Sequence, residues 1–150
     1  MPATRTLSQT EFLRTLPGAT IPHLPPDLQG IQVRQPWQWL LQLHYGDPNL
    51  HFEVSYISRL SGWELGFHCE SRDHDLNRLL LRGFQSHLAE IKDTLGDQIE
   101  AEMWDKGWTK IYEVYPGGTT TTGYQVAVGR RLAQIICCLQ PIFVDLRLEG

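Results

Sequence analysis

The chain has little of what marks a catalyst or a coating protein. Its 150 residues include only three cysteines, Cys69, Cys137 and Cys138, and no CxxC pair. Adjacent Cys137 and Cys138 point to different sides of a helix and do not suit a mutual disulfide. Reduced, buried thiols in a cytoplasmic protein are the expectation. Positive charge is scarce: thirteen Lys+Arg against seventeen Asp+Glu give a net charge of −4. That argues against nucleic acid or an anionic membrane as partner, because affinity for phosphate rests on cationic side chains. The start, Met-Pro-Ala-Thr-Arg, lacks the apolar core of a secretory signal. The most apolar stretch, Leu132 to Val144, is interrupted by Gln134, Gln140 and Pro141 and is too short to span a bilayer. HExxH, paired CxxC, a Gly-x-Ser-x-Gly elbow and a phosphate-cradling glycine loop are all missing. No catalytic residue and no cofactor follow from motifs.

What is present describes one domain. Apolar residues are 41% of the chain and charged residues 20%, a globular balance. A chain of this length buries about 68–70% of its unfolded surface. Ser8-Gln-Thr-Glu11 has capping-box spacing ahead of Phe12, Leu13 and Leu16, so a short helix is predicted, ended by Pro17-Gly18. Prolines 17, 22, 25, 26 and 36 then make an extended connector, so residues 1–36 form an N-terminal segment packed on a core of residues 37–150. Residues 37–45 alternate with period two and read as a strand, with a helix through Trp37–Leu43 as the alternative. Further strands start near Leu50 and at Trp63, the latter after the Ser61-Gly62 turn. Leu76, Leu79, Leu80, Phe84, Leu88, Ile91 and Leu95 trace one helical stripe, with Asp73 or Asp75 as cap and Gly96 as exit. Two strands follow, Ile99 to Trp104 and Trp108 to Tyr115. A glycine- and threonine-rich loop, read as flexible, leads to a last helical stripe from Val128 to Leu146. Thr122 is its cap, and a kink or end is expected near Pro141.

The predicted order is therefore α-β-β-β-α-β-β-α. Short turns between strands imply antiparallel pairing. The class is α+β: a single antiparallel five-stranded sheet with two long helices on its apolar face and the other face open.

On that open face the alternation collects His44, His51, Glu53, Glu64, His68, Glu70, Glu100 and Glu102. Residues two apart on a strand lie on one side, about 6–7 Å from each other. Histidine with carboxylate is a ligand set for zinc or manganese and a general acid–base set. On this reading His51, Glu53, His68, Glu70 and Glu102 converge on one divalent ion. The competing reading is a solvated face with modest cross-strand pairs and no metal. Trp37, Trp39 and Trp63 read as core. Trp104 and Trp108 flank the Asp105–Gly107 turn and either form an interface or pack on Tyr112 or Tyr115.

Residues 63–146 carry a resemblance. Trp63-Glu-Leu-Gly-Phe-His-Cys-Glu70 precedes a helix with Asn77, Phe84 and Ile91-Lys-Asp-Thr-Leu-Gly96. Ile99-Glu-Ala-Glu-Met-Trp104, Thr109-Lys-Ile111 and a helix ending in Leu139-Gln-Pro141 follow. This resembles an uncharacterised bacterial and archaeal domain family often found C-terminal to nuclease-like modules. The resemblance implies an accessory unit and assigns no active residue. With 150 residues in one domain, a nuclease module beside it is not expected. The element order is also similar to type III secretion chaperones, which are small, acidic, cytoplasmic dimers that hold partner chains.

The leading expectation is a non-enzymatic interaction or chaperone-like module, a homodimer that binds a protein partner through Trp104, Trp108, His51, Glu53, His68 and Glu70. The alternative is a metal-dependent hydrolase or nuclease-associated accessory domain that uses the His/Glu face.

Overall fold

The structure, a computed structural model, describes residues 4–149. Met1 to Ala3, read above for a leader, and Gly150 lie outside the described residues. The elements are α1 (Gln9–Thr20), β1 (Gln32–Trp37), β2 (Leu40–His44), β3 (Leu50–Ile57), β4 (Gly62–Cys69), α2 (His74–Ser86), α3 (Leu88–Leu95), β5 (Glu100–Asp105), β6 (Trp108–Pro116) and α4 (Thr122–Glu149). The strands form one antiparallel sheet in the order β1-β2-β3-β4-β6-β5.

The centre of the sheet follows from period-two alternation. β3 and β4 pair with Phe52 opposite Phe67 and Val54 opposite Leu65. All four are buried beneath the helices, as the alternation requires. The stripes of α4 (Val128, Leu132, Ile135, Ile136, Leu139) and of α2 and α3 (Leu80, Phe84, Ile91, Leu95) complete the core. Phe67 meets Phe84 at 5.8 Å and Phe143 at 4.9 Å between ring centroids. Glu113 also lies on this face, where Arg131 of α4 donates to both of its carboxylate oxygens and to the Leu95 carbonyl.

The sheet has six strands, not five. The extra one, β1, falls inside the proline-rich segment read as connector. Pro36 is tolerated because β1 is an edge strand whose register slips between Arg34 and Trp37, so no partner needs the missing N–H. Residues 37–45 therefore hold no single strand. Gln38 and Trp39 form the turn between β1 and β2, which lifts Trp37 (61% exposed) and Trp39 (48%) out of the core assigned to them. Trp63 is core, as expected.

The helices differ from expectation at three points. α1 continues through Pro17 to Thr20, where the N–H of Ile21 donates to the Pro17 carbonyl. The stripe from Leu76 to Leu95 belongs to two helices, broken at His87 (φ −98°, ψ 4°), and Leu79 is exposed. α4 runs unbroken past Pro141, because Phe143 still has a core partner in Phe67 beyond it. By length and composition α4 could cross a membrane. Here one of its sides packs in the core.

The capping is largely as read. Ser8 Oγ accepts from Glu11 N–H, and Asp73 Oδ1 accepts from the N–H groups of Asp75 and Leu76. Glu11 pairs with Arg5 instead of closing a capping box. Thr121, not Thr122, holds the start of α4 through Tyr124 N–H. The threonine loop is tied to the N-terminal segment, with Leu7 N–H donating to Thr120 O and Thr6 bridging to Thr121.

α1 crosses α4 at Gly129, where an added Cβ would meet the carbonyl oxygen of Ala19 at 2.5 Å. Gly129→Ala is expected to destabilise the protein by about 1–3 kcal/mol, read as a lower urea midpoint. An unchanged midpoint would show that the two helices separate freely.

Candidate metal centre and ligand trough

The second face of the sheet is not the wet surface its polar residues suggest. It is concave, and a cavity of about 610 Å³ runs over it. His51 is 1% exposed and His68 2%. Pairing in register puts His51 beside His68, and His68 beside Lys110, which is beside Glu102. Their rings and ammonium thus cross three strands in one row. Trp104, at a register shift in β5, lies edge-on to His68 at 5.6 Å and 5.5 Å from Trp108. The β5–β6 hairpin that carries both tryptophans is anchored from below. Buried Asn77 donates to the Gly107 carbonyl, and Thr109 Oγ1 donates to the Asn77 carbonyl.

The polar floor is a closed set of bonds. His68 donates from Nδ1 to Glu70 Oε2 (2.9 Å) and from Nε2 to Glu64 Oε2 (2.8 Å), with Glu53 Oε2 at 3.5 Å. Burial alone would lower the His68 pKa. The hydrogen bonds to Glu64 and Glu70 and the charge of Glu53 outweigh burial and raise it to about 9. Burial likewise opposes ionisation of Glu64. Its bonds to His68 and to Lys110 Nζ (2.6 Å) nevertheless hold its carboxyl below the usual range. Lys110 also sits over the Tyr112 ring at 4.1 Å and the Trp104 ring at 5.3 Å. Tyr112 donates its hydroxyl proton to Glu102 at 2.7 Å, and burial together with that bond pushes its pKa well up.

His51 poses a sharper requirement. Its Nδ1 faces the Pro48 carbonyl at 2.8 Å, an atom that can only accept, so Nδ1 carries a proton. Its Nε2 then faces Glu53 Oε1 at 3.1 Å and Glu70 Oε1 at 3.9 Å. A lone pair opposite carboxylates needs either a proton or a cation between them.

His51, Glu53, His68 and Glu70 each offer one donor atom, and the four atoms lie within 4.8 Å of one another. A tetrahedron with bonds of about 2.1 Å has edges of about 3.4 Å. Binding an ion would therefore draw the carboxylates inward by roughly an ångström. The Pro48 bond presets the His51 tautomer so that Nε2 is the free ligand, the usual outer-shell arrangement of metal-bound histidine.

Four of the five residues read as metal ligands are thus brought together. Glu102 is not: it bonds Tyr112. His44 turns to a separate cavity at the end of the sheet, where its Nδ1 accepts from Gly46 N–H. Glu100 lies 3.6 Å from Lys92. Of the residues read as a partner-binding set, Trp104 (40% exposed) and Trp108 reach the rim, Glu53, His68 and Glu70 line the floor, and His51 is buried against the His68 ring. Lys110, Tyr112, Trp37 and Trp39 belong to the site and escaped the sequence reading. The alternation of Trp108, Lys110, Tyr112 and Val114 against Thr109, Ile111 and Glu113 carried the signal for the first two.

Comparison with protein-family models, with curated proteins and with solved structures found no match. The chemistry of the site therefore rests on its geometry.

The folded pKa of His68 lies above its ordinary 6.5, at about 9. Its stabilisation is full below pH 6.5 and is lost as pH rises through 9. Chelator-treated protein should lose stability across that window, by up to about 1.4 kcal/mol per pH unit from this group. His68→Gln should flatten the slope. A wild-type stability constant over that range would show that His68 is neutral when folded.

Proposed function

We propose that this protein binds a divalent transition metal through His51, Glu53, His68 and Glu70, with the ion facing the trough. The observation that carries the reading is His51: its tautomer is fixed by Pro48, and its Nε2 points at the carboxylates of buried Glu53 and half-buried Glu70. Two imidazoles with two carboxylates suit zinc, cobalt, manganese or iron, and exclude a preference for calcium or magnesium, which take all-oxygen sites. An ion held there polarises an oxygen bound to it. Glu64, bonded to His68 and Lys110, lies beside the proposed ligands.

Cobalt(II) added to chelator-treated protein should produce visible ligand-field bands that saturate at one ion per chain. His51→Ala or Glu70→Gln should weaken binding at least as much as the about 10–100-fold typical of a lost outer-shell partner. Absence of those bands, with no rise in melting temperature on adding zinc, would end this reading.

A second reading, the self-associating interaction module, is favoured by one observation: Trp37, Trp39 and Leu60 stand exposed together on the trough rim. It expects a dimeric mass by light scattering that becomes monomeric in Trp37→Ala. A monomeric wild-type mass at high concentration would count against it.

A further inference from the structure

The proposed metal centre fills one end of the trough, and the other end has a different chemistry. Three of the four metal ligands come from β3 and β4, and Glu70 directly follows β4. Glu53, His68 and Glu70 line the trough and His51 is buried beside them, so an ion held by the four has its open positions on the trough side. Beside that end stands the Lys110 ammonium, held by Glu64 over Tyr112. Away from that end the lining is largely apolar, with Leu40, Ile57, Leu60, Val114, Trp37 and Trp39, and Gln42, Ser55 and Arg59 beside them. The volume of about 610 Å³ is within the range of small-molecule sites, about 300–1,000 Å³.

Charge decides the head group. Glu53, Glu64 and Glu70 alone would repel an anion. A dication together with Lys110 offsets three of the four carboxylates that line the trough, and the fourth, Glu102, accepts from the Tyr112 hydroxyl; this lowers the barrier and supplies a Lewis-acidic partner for an oxygen donor. Charge selection at this end is thus set by the metal, and shape selection at the other end by the tryptophans.

We propose that the trough binds a small amphiphile with a carboxylate head. The head oxygen completes the coordination of the metal beside Lys110, and the apolar body lies over Leu40, Ile57 and Val114 towards Trp37 and Trp39. The inference rests on the metal-centre reading.

Four of the five tryptophans line the trough and Trp63 lies in the core. Intrinsic fluorescence therefore reports on the body of a ligand, and cobalt bands report on its head. The experiment titrates decanoate, below its micelle concentration, into cobalt-loaded and into chelator-treated protein, with decylamine as the cationic counterpart. Decanoate should change both signals in the loaded protein and bind at least tenfold more weakly to the treated protein. Val114→Asp, which puts a charge in the apolar end, should weaken decanoate at least tenfold and leave the cobalt bands of the ligand-free protein unchanged. If cobalt bands form but decanoate moves neither signal, or moves fluorescence alone, the amphiphile inference fails while the metal centre stands. Tighter binding of decylamine to treated protein than of decanoate to loaded protein would also overturn it, by showing that the acidic floor takes cations. If no cobalt bands form, the metal reading fails and this inference fails with it.

Discussion

The pairing of β3 with β4 decides most of this molecule. Phe52 against Phe67 and Val54 against Leu65 lock the register from below, through contacts that the helices bury. The side-chain period of a strand is two, so the same register forces His51 against His68 on the opposite face. A slip by one residue would turn Phe52 and Phe67 out of the core and put the imidazoles under α4. The hydrophobic core and the candidate site are therefore two faces of one constraint.

What the register delivers is an unusual concentration of ionisable groups with little exposure. Three carboxylates, an imidazolium and an ammonium share the trough floor, and each finds a partner: His68 with Glu64 and Glu70, Lys110 with Glu64, and His51 with Glu53. Desolvation of such groups costs several kcal/mol per ion, and apolar side chains of equal volume often stabilise a fold as well or better. Stability alone is thus a weak reason for this arrangement. The same groups are well placed to exchange a proton for a cation. The Arg131–Glu113 pair on the helix-covered face offers a contrast. It joins α4 to β6 and to the end of α3.

The legible parts were those where a local pattern and its burial agree. β3, β4, β5 and β6 stand within a residue or two of the alternation, and the sides taken by Phe52, Val54, Leu65 and Phe67 are the ones read from it. The illegible parts were those where a local rule was overridden. Pro36 argued for a connector, yet an edge strand has no need of its N–H. Pro17 and Pro141 argued for helix ends, but Thr20, buried after Pro17, and Phe143, half-buried against Phe67 after Pro141, reward continuing the helix. Trp37 and Trp39 look like core by size alone. Their place in a turn between two strands makes them walls of the trough.

Which residues share a strand face is written in local spacing: His51-Phe-Glu53 and His68-Cys-Glu70 each put their pair on one side of an extended segment. Tertiary structure decided what that face became. Only strand order sets β4 between β3 and β6 and so brings Lys110 to His68 and Glu64. Only the folded chain closes Trp37 and Trp39 at one end and Trp104 and Trp108 at the other over the row of charges. Alternation is a property of adjacent residues, whereas enclosure depends on segments far apart in the chain, and no local spacing encodes that.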